Sequence, residues 1–184
     1  MPRPLREDYE GAWHHVMNRG AGHSPVMATD TDKHLFLDCL VEATRRYRVE
    51  VHCYCLMSTH YHLLVRSAAA QLPDAMRYFS GKFTRIKNRR ADRDGPLFRG
   101  RFTSVAIESD AHLVQASRYI HLNPVEAALA SSASEWPWSS AAAFVGQAER
   151  PTWLHTEFLL AMFGPGAGES LEDGHPAPAR ISPR

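Results

Sequence analysis

Two histidines, His60 and His62, stand two residues apart at the start of an aliphatic run over residues 63–65. The run predicts a buried β-strand, and residues i and i+2 of a strand point to the same face. Two neutral imidazoles placed side by side can ligate one divalent metal ion. A pair of this kind is more often a hydrogen-bonded polar start to a strand, so its interpretation depends on the rest of the chain.

Tyr119 and Asn123 lie four residues apart in a predicted helix and therefore share one of its faces. A phenol oxygen can attack a phosphodiester to form a covalent phosphotyrosine, and a metal ion can polarise the phosphate. Two interpretations of Asn123 stay open. Its amide oxygen is an acceptable ligand, with imidazole, for Mn²⁺ or Mg²⁺. The run Asn-Pro-Val-Glu at 123–126 equally predicts an N-cap with a new helix behind it.

Other candidates are expected to lie away from this chemistry. Tyr61 falls on the opposite strand face from the two histidines, and His121 faces away from Tyr119 around the helix. His14 and His15 lie on opposite faces of an earlier strand. A position near the site is left open for either, and a structural role is the favoured interpretation.

The elements that would position these residues follow the order β-α-β-β-α-β, which is the ferredoxin-like order. Strands are predicted over 12–19, 51–57, 60–66 and 101–108, with the second and third paired as a hairpin. Helices are predicted to begin near Asp30, Pro73 and Ser109. The predicted class is α+β, an antiparallel sheet with added C-terminal helices that carry Tyr119. We expect one domain over 1–163 and a disordered tail over 164–184, which is rich in Gly, Pro, Ala and Ser.

The composition is typical of a globular protein, with 44% hydrophobic and 22% charged residues among 184. The sequence contains neither a long apolar run nor the apolar core of a signal peptide, so we expect a cytoplasmic protein that does not enter a membrane. The three cysteines, Cys39, Cys53 and Cys55, fit a reducing compartment, and we expect Cys53 and Cys55 to be buried thiols.

Positive charge is concentrated in one region although the net charge is only +1. Between Asp74 and Thr103 there are nine Lys or Arg residues and three Asp residues. Within this region Lys82, Arg85 and Arg89 form a basic stripe along a predicted amphipathic helix. Such a stripe suits a phosphate backbone, and an ordinary solvated helix face explains it equally well.

The order of several motifs resembles that of the REP-associated tyrosine transposases, which belong to the single-tyrosine HUH transposases of insertion sequences. The matching motifs are His-Tyr-His at 60–62 followed by leucines, the basic helix, Gly-Pro-Leu-Phe-Arg-Gly-Arg-Phe at 95–102, Arg-Tyr-Ile-His-Leu-Asn-Pro-Val at 118–125, Trp-Pro-Trp-Ser-Ser at 136–140, and the early Asn-Arg-Gly at 18–20. The resemblance extends from about Trp13 to Phe144.

The resemblance implies an endonuclease that cuts and rejoins single-stranded DNA, often a hairpin near a repetitive palindrome. It implies that His60, His62 and Asn123 hold a divalent metal, Mg²⁺ or Mn²⁺, and that Tyr119 is the nucleophile. Attack would leave a 5′-phosphotyrosine and a free 3′-hydroxyl. Contacts to DNA are expected from Arg19, Lys82, Arg85, Arg89, Arg99, Arg101 and Arg118.

The sequence departs from the family pattern at three places. Ser-Thr at 58–59 replaces the usual Pro-Asn, Tyr61 is bulkier than usual between the histidines, and Glu126 stands where Arg is common. Two alternatives are kept: a domesticated protein that binds nucleic acid without cleaving it, and a metal-dependent phosphodiesterase that uses water. The oligomeric state is left as monomer or homodimer, because related enzymes can exchange the tyrosine helix in a dimer.

Overall fold

The computed structural model describes residues 8–163, and the predicted tail at 164–184 lies outside them. The elements in chain order are β1 (Ala12–Arg19), α1 (Asp30–Tyr47), β2 (Val49–Leu56), β3 (His60–Ser67), α2 (Leu72–Arg90), β4 (Thr103–Ile107), α3 (Asp110–Glu126), α4 (Ala141–Phe144) and α5 (Glu157–Phe163). The strands form one antiparallel sheet in the order β2-β3-β1-β4. This confirms the predicted α+β class and the ferredoxin-like order.

The predicted strands are found with small shifts at their ends. β1 has the predicted bounds, and β2 and β3 pair as the predicted hairpin, with Leu56 opposite Tyr61. β2 begins two residues earlier than predicted, and β4 is shorter. The extra residues of β2 pair with the end of β3, where Val49 lies opposite Ser67. Such long-range pairing is not visible in local periodicity.

Two layers of helices cover the two faces of the sheet. Alternate strand residues, among them Val16, Tyr61, Leu63 and Val65, pack with α1 and α2 in one core cluster. The intervening residues, among them Cys53, Cys55 and Leu64, pack with α3 and α5 in a second cluster. Side chains of β3 thus reach one core or the other according to their parity. His60 and His62 share the parity of Leu64 and therefore lie on the face that α3 covers.

Side-chain caps fix where helices α1 and α3 begin. Ser109 caps α3 by accepting a hydrogen bond from the His112 amide, as the sequence predicted. α1 is capped by Thr29, one residue before the predicted start, in a reciprocal capping box with Asp32. None of the helices described between residues 8 and 163 is long and apolar enough to cross a membrane.

Candidate active site

The two histidines of β3 lie together on the sheet face beneath α3. Their ring centroids are 5.2 Å apart, with the ring planes nearly perpendicular. Nδ1 of His60 lies 3.0 Å from Oγ1 of Thr59, and Nδ1 of His62 lies 3.0 Å from Nε2 of His15. Since Nδ1 of each ring already has a protein partner, Nε2 is the nitrogen that each ring can offer to a ligand.

Burial favours the neutral form of both rings. It lowers the pKa of His60, against a weaker opposing effect of a hydrogen bond with Asn123. It lowers the pKa of His62 well below the usual value, and the neighbouring His15 and His60 lower it further. A neutral imidazole carries the lone pair that metal binding requires, so both rings are prepared to act as ligands near neutral pH.

Helix α3 places Tyr119 and Asn123 over the histidines. The Tyr119 ring meets the His62 ring edge-on with centroids 5.5 Å apart, and the His15 ring with centroids 5.8 Å apart. The Asn123 side chain lies near enough to the His60 ring to raise the pKa of His60. Its Nδ2 donates to the Tyr119 carbonyl at 3.1 Å, so its amide oxygen is the group left to accept. The predicted same-face relation of Tyr119 and Asn123 is therefore present in the structure.

The interpretation of Asn123 as an N-cap is wrong. Helix α3 continues without a break through Asn123 and Pro124 to Glu126. The amide of Ala127 donates to the Asn123 carbonyl, which keeps the helical pattern beyond the proline. Asn123 and Pro124 are both buried, and this tertiary packing outweighs the local preference of a residue before proline for an extended conformation.

The donor set fits a divalent metal of the Mg²⁺ or Mn²⁺ kind. Two imidazole nitrogens and one amide oxygen would fill part of a six-ligand shell and leave positions for water and a phosphate oxygen. In the part of the chain that the structure describes, no three His, Cys, Asp or Glu side chains are grouped to hold a metal. A site here thus depends on Asn123 as the third protein donor.

Two residues lie outside the site, as the sequence predicted. Tyr61 is fully buried on the opposite sheet face, where it packs against Phe36, Phe79 and Phe98. His121 is fully buried with Nε2 2.7 Å from Oγ of Ser140, and burial lowers its pKa to about 3. Among residues 8–163, no hydrogen bond or ring contact joins either side chain to the two imidazole rings.

His15 is the site residue that sequence reasoning missed. It was interpreted as structural, yet it is 2% exposed and directly contacts both His62 and Tyr119. The sequence feature that could have indicated this is the alternation of side chains along β1, which places His15 on one sheet face and His14 on the other. Once β1 is known to lie beside β3, a residue diagonal to His62 is within reach of a ring-to-ring contact.

Three of the predicted DNA-binding residues form what we call the arginine rim, namely Arg19, Arg99 and Arg101. Arg19 lies directly opposite His60 across the β1–β3 pair. The amide of Arg99 donates to the Arg19 carbonyl at 2.9 Å, and Arg99 and Arg101 are exposed. Glycine is required at position 20 behind them, because a Cβ there would lie 2.0 Å from the Ser24 carbonyl oxygen. The rim therefore borders the histidine pair at Arg19, to which Arg99 is hydrogen-bonded, and Arg101 follows two residues later in the chain.

The remaining predicted DNA contacts do not join the rim. Lys82, Arg85 and Arg89 lie on α2, which covers the opposite face of the sheet. The Lys82 ammonium forms an ion pair with Glu42 of α1, while Arg85 and Arg89 are exposed. Arg118 precedes Tyr119 on α3 and is half-buried, and its Nε has no hydrogen-bond partner among the described residues.

Comparison with known proteins agrees with this architecture. Residues 9–123 match the family described as "Transposase IS200 like". The matched range includes His60, His62, Tyr119 and Asn123. The chain belongs to the IS200-like transposase family. The resemblance to REP-associated tyrosine transposases is confirmed as well. A protein of Haemophilus influenzae named as a REP-associated tyrosine transposase is 29% identical over 121 residues of this family member.

That relative is matched over 57% of this chain and 66% of its own length, just under two thirds. A solved structure described as a REP-associated tyrosine transposase bound to a REP hairpin superposes with a TM-score of 0.69. This match covers 99% of the IS200-like chain and 100% of the solved one. At 17% identity, that structural likeness shows a shared fold.

Proposed function

We propose that this chain is a metal-dependent endonuclease and strand transferase for single-stranded DNA, with Tyr119 as its nucleophile. The observation that carries the proposal is the edge-on contact of the Tyr119 ring with His62, 5.5 Å between centroids, on the same helix that places Asn123 near His60. The proposed nucleophile and the three proposed metal ligands thus lie next to one another between α3 and β3. Membership of a transposase family supports the same reaction class.

In the proposed reaction the Tyr119 phenol oxygen attacks a DNA phosphorus atom. A new bond joins the tyrosine oxygen to phosphorus, and the bond from phosphorus to the 3′-oxygen breaks. The phenol loses its proton and the departing 3′-oxygen gains one, leaving a 5′-phosphotyrosine and a 3′-hydroxyl. A 3′-hydroxyl of another end can reverse the step, so strand joining needs no nucleotide cofactor.

His60, His62 and Asn123 are the residues proposed to hold Mg²⁺ or Mn²⁺. The ion, when bound, would supply a Lewis acid that polarises the phosphate oxygens and orients the bond to be cut. The two rings contribute by staying neutral, and Asn123 contributes by fixing its amide through the bond to the Tyr119 carbonyl. This bond also ties the position of the third donor to the turn that carries the nucleophile.

Hairpin or palindromic repeat DNA is the proposed substrate. The arginine rim beside His60 offers positive charge where a strand entering the site would pass. The solved structure of similar fold is described as bound to a REP hairpin. Because Tyr119 reaches the histidines of its own chain, we propose that one protomer holds a complete site, whether it acts as a monomer or within a homodimer.

A covalent adduct tests the proposal. Wild-type protein, Mn²⁺ and a single-stranded hairpin oligonucleotide are expected to give a protein–DNA band that survives denaturing electrophoresis. Tyr119→Phe should abolish the band, while Tyr61→Phe, which removes the same hydroxyl from the opposite sheet face, should retain it. A band that persists in Tyr119→Phe would refute the role of Tyr119.

The same experiment separates the two alternatives. Cleavage without any adduct would indicate a phosphodiesterase that uses water. Binding of the hairpin without cleavage under either metal would indicate a nucleic-acid-binding protein that keeps the fold alone.

A further inference from the structure

His15 sits where it can control the orientation of a proposed metal ligand. On β1 it pairs with Leu64, so it lies diagonal to His62 across the β1–β3 pair. Nε2 of His15 is 3.0 Å from Nδ1 of His62, and the two side chains are 2% and 5% exposed. Little water reaches rings this deeply buried, and the distance between the two nitrogens is that of a direct hydrogen bond.

The proton between the two rings decides which nitrogen of His62 carries a lone pair. A neutral imidazole has one N–H donor and one acceptor nitrogen. If Nδ1 of His62 donates to His15, then Nε2 of His62 is the acceptor and can ligate a metal. If His15 donates instead, Nε2 of His62 carries a proton and cannot be a ligand.

We propose that His15 is a positioning residue that accepts the Nδ1 proton of His62 and so keeps the Nε2 lone pair of His62 turned toward the metal site. The inference rests on the proposed function, because it takes His60 and His62 as the metal ligands. Partners of this kind fix the tautomer and the ring orientation of metal-binding histidines.

Burial and packing support the role of His15 as an acceptor. At 2% exposure the His15 ring has little access to water, so the His62 ring is the partner that its Nε2 meets. The His15 ring also meets the Tyr119 ring with centroids 5.8 Å apart. It is thus held between the proposed ligand and the proposed nucleophile, which limits its rotation.

The tautomer of His62 can be measured in the metal-free full chain. Long-range ¹H–¹⁵N spectra of protein labelled with ¹⁵N-histidine distinguish the two neutral forms, with His62→Ala providing the assignment. We expect His62 to carry its proton on Nδ1 in the wild type and to lose this preference in His15→Leu. His15→Gln, whose side-chain oxygen can accept at the same distance, should restore it. A His62 ring protonated on Nε2 in the wild type would overturn the inference.

Metal affinity gives the second measurement. Calorimetric titration with Mn²⁺ alone is expected to show binding weakened by about 10- to 100-fold in His15→Leu, with much of the loss recovered in His15→Gln. His14→Leu is the matched control, because His14 is equally buried on the same strand but faces Asp8 and Ser104 instead. It should bind Mn²⁺ like the wild type.

The outcomes for His15 and for the proposed function can be distinguished. Wild-type affinity in His15→Leu would contradict the role of His15 while leaving the metal site intact. Absence of any Mn²⁺ binding that His60→Ala and His62→Ala reduce would contradict the metal site itself. The tautomer measurement would still decide whether His15 controls the His62 proton.

Discussion

The phenol of Tyr61 provides a quantitative test of the assignment of residues to the two sheet faces. Tyr61 is fully buried, and its hydroxyl has no hydrogen-bond partner among residues 8–163. Burial also raises its pKa, so this phenol stays protonated. A buried hydroxyl without a partner costs about 1–3 kcal/mol. The substitution Tyr61→Phe removes that cost and keeps the ring contacts with Phe36, Phe79 and Phe98.

The void left by the hydroxyl offsets only a small part of this gain. A space of about 10–15 Å³ costs about 0.3 kcal/mol at about 24 cal/mol per Å³. We therefore expect Tyr61→Phe to raise the free energy of unfolding by about 1 kcal/mol. For a domain of this size the midpoint of thermal unfolding should rise by about 2–4 °C.

Urea denaturation and calorimetry of the wild type and the variant measure the change, and the adduct assay is run on the same samples. The expected combination is a more stable protein with unchanged adduct formation. A loss of stability of about 1 kcal/mol or more would show that the hydroxyl has a partner. Loss of the adduct would place Tyr61 in the reaction and refute the separation of the two faces.

Two further predictions concern charge. Arg99→Ala should weaken binding of hairpin DNA and reduce the slope of log affinity against log salt by about one. Lys82→Ala should change neither the affinity nor the salt dependence, since the Lys82 ammonium is paired with Glu42 on the sheet face opposite α3. An equal loss of affinity in both variants would contradict the assignment of DNA binding to the arginine rim. The second prediction concerns His121, whose pKa burial lowers from its usual value of about 6.5 to about 3. Because the unfolded chain binds the proton first, the free energy of unfolding should fall as pH drops below about 6.5, by up to about 1.4 kcal/mol per pH unit for this group. His121→Gln should flatten the slope in denaturation curves, and an unchanged slope would show that His121 does not titrate in this way.

The fold was predictable because local patterns and long-range packing agree. The bounds of β1, the β2–β3 hairpin and the Ser109 cap were all found as the sequence predicted them. The ends of β2 and β4 were not, because they depend on which residues of neighbouring strands face each other. Register of that kind is set by tertiary pairing and by irregularities such as the shift between Val51 and Cys53.

The candidate site was likewise predictable only where local periodicity places its residues. Periodicity alone put His60 and His62 on one face and Tyr119 and Asn123 on another, and the structure brings these faces together. The contact of His15 with His62 could not be predicted, since it requires the register of β1 against β3. The cap predicted at Asn123 was wrong because a local motif competed with burial of the whole helix, and burial prevailed.

The division of the site between a strand and a helix makes its chemistry depend on the packing of α3 against the sheet. The histidines belong to the sheet, whereas Tyr119 and Asn123 belong to α3, which reaches them only by docking on that sheet. A chain with its sheet formed and α3 undocked would carry donors without a nucleophile. On the proposed roles, a molecule in which α3 is not packed on the sheet cannot nick DNA. Adduct formation therefore reports that this packing is complete. Loosening α3 would inactivate the protein before it unfolded.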